Sequence, residues 1–436
     1  MATRGSLFIT AAAVGALAAP ALAQQSGPVA TYWVSASTST GMGGMGAGMS
    51  GRGSGDQDQQ PQQQQPKPKR PGLGSMLGAA ASSMVPGAGL FGNRGGGSND
   101  SGSNANGGGG ANDYMARMGG GGTPIRQLTL QLGSIAKPTG DPTAEHLIPT
   151  GMNMGPSLPL VTPEQPAPQK ADADYSMPDQ MRKPEGKMLI YWGCGEHAAA
   201  APIVLDFATM AQGQLPKLPM IEVKPERPPS SSRSATYGDW PNRRDTQRVP
   251  ADASLAGDHM VRGDYTPDIK FHLGPEHDFM APLTITSKYP TPGGALKVTW
   301  NAVPGATGYY AMLMGADSQK GGGDGHTMVM WTSSMKANSF GPLLDYLPPS
   351  EVRRLVAEQA VMRPETTECI IPEEVESALG LGGMFQMIAY GDEVNFADPP
   401  RPSSPKAAWN VKTVVKVRFK STTSMILGMD RGSAMR

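Results

Sequence analysis

The chain has 436 residues, with 37 basic and 37 acidic side chains, 57 Gly, 41 Pro, 28 Met and two Cys. So even a balance excludes a general electrostatic attraction to nucleic acid, and so much Gly and Pro excludes a largely helical chain. Only 9 Phe, 11 Tyr and 6 Trp are available for cores, which predicts modest β-rich domains and a large disordered fraction.

The chain opens with Arg4, a small and apolar stretch over residues 7–19, Pro20, and Ala21-Leu22-Ala23 before Gln24. A charged start, an apolar run and an A-x-A site in that order predict a secretory signal peptide over 1–23, cleaved after Ala23. The run is shorter than the ~20 apolar residues of a membrane span. No twin arginine precedes it, and no cysteine follows it to carry a lipid. Cleavage removes Arg4 and leaves 36 basic against 37 acidic residues. The expected product is exported, to the periplasm, the cell envelope or the medium, and keeps no transmembrane segment. The nearest later candidate, residues 198–205, is broken by Pro202.

Residues 29–38 (VATYWVSAST) are β-rich, with Tyr32 and Val34 on one face and Trp33 and Ser35 on the other. A low-complexity tract over 41–122 follows: Gly/Met-rich, then Gln/Pro-rich, a basic knot at Lys67, Lys69 and Arg70, then Gly/Asn-rich. Its apolar surface is too small to offset the entropy of ordering, so disorder is expected. Beyond it Leu128, Leu130 and Leu132 alternate with polar residues, as in a half-buried strand. The strands on either side of the tract can still pair, since closure costs only about 0.6 kcal/mol per doubling of loop length. Burying Tyr32, Trp33 and Val34 returns more than that at ~25 cal/mol per Å². The tract is therefore read as an insertion within a first domain, residues 24–277.

A Pro-rich extended stretch covers 138–184. Residues 187–192 (KMLIYW) are apolar on both faces, which predicts a central strand between two layers, with 202–207 as its neighbour. Residues 216–277 are rich in Pro, Ser and Arg and are expected to form long loops, clamped by Tyr237, Trp240 and Tyr265.

In the last third, Leu296, Val298 and Trp300 alternate with polar residues, and Val303-Pro-Gly leads to Tyr309 and Tyr310. The string KVTWNAVPGATGYYAML resembles the B-to-C strand region of fibronectin type III domains, where a Trp plugs the core and a Pro-Gly turn leads into a Tyr-bearing strand. The resemblance spans roughly 282–420 and implies a sandwich, with 327–333, 384–390 and 411–420 as later strands. It departs from the family at Phe385 or Met387, where strand F usually carries Tyr, and at a helical insertion over 350–380. Ser350 is expected to cap the first helix of the insertion, and Pro364 to stop it. A shorter helix is expected from Pro372 to Gly380. The fold class is thus mainly β: two β-sandwich-like domains (24–277 and 278–422), the second fibronectin type III-like, a disordered loop, and a tail at 423–436.

The short motifs carry little chemistry. Residues 41–46 (GMGGMG) match a dinucleotide-binding pattern, but no helix follows and a Gly/Met repeat generates such matches by itself. Cys194-Gly-Glu196-His197 reads as a polar turn, and His146, His259, His272, His277 and His326 show no metal-ligand spacing. Arg262-Gly263-Asp264 reads as a turn rather than an adhesion tripeptide. Two cysteines in an oxidising compartment permit a disulfide between Cys194 and Cys369, with two buried thiols as the alternative. Met42, Met45 and Met49 in the tract, with Met312, Met314, Met328 and Met330 in strands, permit Cu(I) binding, with core filling as the alternative.

The last strand alternates an apolar face with a basic one carrying Lys412, Lys416, Arg418 and Lys420. The basic face is expected either to protect a sheet edge or to hold an anionic envelope polymer. The sequence-based reading is an exported, non-enzymatic cell-envelope binding or scaffolding protein, without a cofactor, whose partner is an envelope polymer or another envelope protein. The alternatives are an accessory or catalytic protein acting on extracellular carbohydrate, and periplasmic copper handling through methionine.

Overall fold

The computed structural model describes residues 27–42, 122–164, 186–214, 218–317, 326–338, 343–379, 382–404 and 407–428. The expected signal peptide, nearly all of the low-complexity tract and residues 429–436 lie outside them. The described chain is mainly β, in three sheets.

The largest sheet has nine strands. In chain order they are β1 (Ala30–Gly41), β2 (Ile125–Ser134), β5 (Gly186–Trp192), β6 (Ile203–Asp206), β7 (Thr236–Trp240), β12 (Gly308–Asp317), β13 (His326–Thr332), β15 (Gly383–Asp398) and β16 (Thr413–Leu427). Across the sheet they run β6-β5-β13-β12-β15-β16-β1-β2-β7. The pairs β1–β16 and β13–β5 are parallel, and the other neighbours are antiparallel. β1 and β2, which flank the tract, are antiparallel partners with Tyr32 opposite Leu132 and Val34 opposite Leu130.

Two smaller sheets cover one face of the large one. The first contains β3 (Ala144–Leu147), β4 (Ser157–Leu160), β8 (Gly257–Gly263) and β9 (Thr266–Leu273), in the order β4-β3-β8-β9. Its Leu158, Val261, Ile269 and Phe271 pack with Tyr32, Val34, Leu130 and Val417. The second contains β10 (Ile285–Pro290), β11 (Leu296–Trp300) and β14 (Glu368–Ile371), in the order β10-β11-β14. Its Val298, Trp300 and Ile371 pack with Tyr309, Leu313, Trp331, Phe385 and Leu427. The alternation of β16 serves both cores, because Val415, Val417 and Phe419 join the first and Met425 and Leu427 the second. A third core on the opposite face groups Ile190, Tyr310, Met330 and Ile388 beneath Val352 and Leu355 of helix α2 (Pro349–Ala357).

Three features differ from the sequence expectation. The first is that residues 216–277, read as long loops, hold β7, β8 and β9, whose inward residues alternate with polar ones between the Pro-rich stretches. The division at 277/278 does not part the large sheet, since β5 from the N-terminal side bonds to β13 and β16 from the C-terminal side bonds to β1. The cause is length: β15 and β16 have 16 and 15 residues, enough to run beneath both small sheets. Helix α2 begins at Pro349, with Pro348 rather than Ser350 in the cap position and no side-chain capping bond. Proline at the first helical position has no N–H to leave unsatisfied, and its fixed φ suits the first turn. The short helices α1 (Phe207–Ala211) and α3 (Glu373–Ala378) complete the elements used below.

Candidate functional site

The basic ladder of β16 is the expected site that the structure alters most. β16 is an interior strand between β15 and β1, so its cations protect no edge. Nor does the ladder form an open basic face. Lys416 Nζ donates to both oxygens of Glu226 at 2.6 and 2.7 Å and to both oxygens of Glu393 at 2.9 Å. Arg418 Nε donates to Ser35 Oγ at 2.7 Å, and its guanidinium lies between the rings of Trp33 (4.8 Å) and Tyr346 (4.3 Å). Lys420 Nζ sits 4.2 Å from the Tyr346 centroid and donates to Asp345 at 3.2 Å. Burial lowers the Arg418 and Lys420 pKa values from their ordinary ranges, and neighbouring acids partly restore them. Lys412 stands apart, exposed, just before the strand.

The sequence pattern explains this closure. Trp33, Ser35 and Ser37 of β1 stand opposite Lys416, Arg418 and Lys420, so each cation meets an aromatic or hydroxyl neighbour on its own face. The loop around 218–235 crosses over that face: its Glu222 carbonyl accepts from Arg354, Glu226 from Lys416, and its far end joins β2 where Ala235 N donates to Ser134 O. Three cations face Glu226, Glu393 and Asp345, so the cluster is neutral. It braces the loop against the sheet and has little attraction left for a polyanion.

A second polar cluster escaped the sequence reading because its members are far apart in the chain. Tyr32 of β1, His146 of β3 and His259 of β8 are all buried in the first core. Tyr32 Oη lies 2.9 Å from His146 Nδ1, His146 Nε2 lies 2.9 Å from His259 Nδ1, and His259 Nε2 lies 2.7 Å from Leu255 O. A carbonyl only accepts, so His259 Nε2 carries the proton and its Nδ1 accepts from His146 Nε2–H. His146 Nδ1 then accepts from Tyr32 O–H. All three groups are neutral and every ring nitrogen is satisfied. The available signal was position: His146 falls on the inward period of 144, 146 and 148, and His259 on that of 259 and 261.

Burial lowers both histidine pKa values, His146 with help from His259 and His259 with help from His272 and against the pull of Leu255 O and Asp258. Phe271 stacks on His259 at 4.7 Å and leaves no room for solvation on that side. The unfolded chain takes up protons below about pH 6.5 where the fold does not, so this stability is complete above that pH and lost as pH falls. Asp239 works in the opposite sense, since burial raises its pKa to about 6 and the folded state binds its proton first. Glu145, Asp345 and Glu374 have lowered pKa values and lose their contributions in the acid range below these. Two histidines against one aspartate give a net expected loss of at most about 2 kcal/mol between pH 7 and pH 5, the full amount if both rings stay neutral down to pH 5. Urea unfolding at the two pH values checks it. In His146→Leu/His259→Leu the loss should vanish or reverse, and an unchanged pH slope would refute the assignment.

The remaining motifs are structural. Cys194 and Cys369 are bonded, with Cα atoms 5.3 Å apart, and tie the turn after β5 to β14. In that turn Glu196 accepts from Thr291 Oγ1 at 2.6 Å, and His197 Nδ1 lies 3.4 Å from Glu374. Arg262-Gly263-Asp264 forms the β8–β9 turn with both charges engaged: Arg262 Nε donates to Glu145 at 2.7 Å, and Asp264 accepts from Thr143 N and Oγ1 at 3.0 Å. Trp240 and Tyr265 are buried in the first core, but Tyr237 and Trp240 belong to β7 and Tyr265 to the turn between β8 and β9, so they pack as sheet residues rather than as clamps of long loops. Met45 and Met49 lie outside the described residues, and among these no cluster of His, Cys, Asp and Glu is arranged to hold a metal. Among the described residues no helix is long and apolar enough to cross a membrane. No family model matches the chain, and no curated protein or solved structure matches it.

Proposed function

We propose that this chain is an exported, non-enzymatic protein that binds or scaffolds at the cell envelope. The carrying observation is the Cys194–Cys369 bond, which joins segments 175 residues apart. Such bonds form and persist in oxidising compartments, in keeping with the expected leader over 1–23. The layout of strands supports the same reading. β10-β11-β14 face β13-β12-β15-β16 with Trp300 against Tyr309 at 5.7 Å, an arrangement that resembles the fibronectin type III sandwich. Sandwiches of this architecture are common among cell-surface domains. The neutral ladder and the neutral histidine chain fit a body built for rigidity, with binding assigned to its surfaces and loops.

The full chain, expressed with residues 1–23, should be recovered outside the cytoplasm with its thiols blocked, and isolated envelopes should retain it. Thiol trapping and fractionation read the first result, and co-sedimentation with washed envelopes the second. Cytoplasmic recovery with both thiols free, or no retention on envelopes, would overturn the proposal.

A further inference from the structure

On the face of the large sheet that carries the third core, methionines line up across neighbouring strands. Met330 of β13 stands opposite Met314 of β12, and Met314 stands opposite Met384 of β15. In the adjoining row Met328 of β13 stands opposite Met188 of β5. Met312 of β12 shares the face, two residues before Met314. Directly opposed side chains on one face have Cβ atoms about 5 Å apart, and diagonal neighbours about 7 Å. A thioether sits at the end of an unbranched arm with three rotatable bonds. Met314, Met328 and Met330 are mutual neighbours in this sense, opposed, diagonal or two residues apart on one strand. Their three sulfurs can therefore meet at one point without moving the backbone, with Met188 beside Met328 on the far side.

The distribution argues against simple core filling. β5, β12 and β13 place Met188, Met312, Met314, Met328 and Met330 on this face, whereas their opposite positions, from Leu189 and Tyr191 to Val329 and Trp331, hold no methionine. The second core, on that other side, takes Tyr191, Tyr309, Ala311, Leu313, Val329 and Trp331 from these strands, and its buried methionines, Met387 and Met425, come from β15 and β16. Burial is graded as well: Met188 and Met330 are buried, while Met314, Met328 and Met384 are half-buried. The patch thus runs from the interior to the surface, which gives an ion an entry and leaves its charge partly solvated. Thioethers are neutral, soft ligands that need no deprotonation and favour Cu(I) and its analogue Ag(I) over hard cations.

We propose that Met314, Met328 and Met330 form a trigonal thioether site for a soft monovalent cation, Cu(I) in function and Ag(I) as its redox-inert probe. The site is independent of envelope binding, so either proposal can fail alone.

The test is titration of the full chain with Ag(I), and with Cu(I) held reduced by ascorbate against a chromophoric chelator. Methyl resonances of 13C-labelled methionine are followed in parallel. Met314→Leu/Met328→Leu should lose one bound equivalent, or bind it at least tenfold more weakly, with an unchanged melting temperature, since leucine and methionine exchange with little packing cost. Met42→Leu/Met45→Leu/Met49→Leu should keep that equivalent, and the Met314, Met328 and Met330 methyl signals should shift on saturation. Equal stoichiometry and affinity in the parent and Met314→Leu/Met328→Leu would overturn the proposal. Loss of all binding in the tract variant, or unmoved signals from the sheet methionines, would do the same.

Discussion

Replacing Lys416 by methionine is expected to lower the free energy of unfolding by about 3–4 kcal/mol. The methylene stem is retained, so little packing is lost. The charge is not retained, and Glu226 and Glu393 are left facing each other across the site where Nζ held four carboxylate oxygens at 2.6–2.9 Å. Both acids are largely removed from water, with side chains 33% and 16% exposed. An uncompensated charge in such a place costs more than the pair itself contributes. The triple variant Lys416→Met/Glu226→Gln/Glu393→Gln removes every charge of the triad and should recover most of the loss. Urea denaturation of the three proteins reads both effects. A single variant within 0.5 kcal/mol of the parent on the scale of an ordinary surface pair would mean that the triad is solvated like one.

The architecture was legible where one strand reports its own burial. The period-2 runs at Leu128–Leu130–Leu132 and Val298–Trp300 show which side faces a core, and the apolar pattern around Trp33 shows that residues 29–38 belong to a sheet. Partners across strands were not legible, because period 2 says which face is buried and not what covers it. The basic face of β16 illustrates this. Lys, Arg and Lys at alternate positions suit an exposed edge, and only the placement of Glu226 and Glu393 on Lys416 and of Asp345 on Lys420, as far as 190 residues away, neutralises the cluster. The histidine chain was hidden for the same reason, with Tyr32 and His146 separated by 114 residues and His146 and His259 by 113. The expected division at 277/278 followed from the loop-rich composition of 216–277. Composition carries no record that β15 and β16 are long enough to underlie both small sheets.

Removing the Cys194–Cys369 bond is expected to cost about 5 kcal/mol, the loop-closure entropy of a 175-residue loop restored to the unfolded chain. The folded state should change little, because the same two segments are also held by backbone bonds. Gly195 N donates to Ile370 O at 2.9 Å, and Glu373 N donates to Glu196 O at 3.1 Å. β14 further keeps its register with β11, where Val298 stands opposite Cys369. The effect therefore falls on the unfolded state, and that has a second signature. An uncrosslinked chain expands further and exposes more surface on unfolding, so the urea m-value should rise together with the fall in midpoint. Cys194→Ser/Cys369→Ser and the parent under reducing conditions should behave alike. If the pair changes stability by less than 1 kcal/mol, far below the usual range for a native disulfide, the two segments are already joined in the unfolded ensemble and the bond adds no restraint. If stability falls while the m-value stays fixed, the loss lies in the native packing of β14 against the turn after β5, and the entropic account fails.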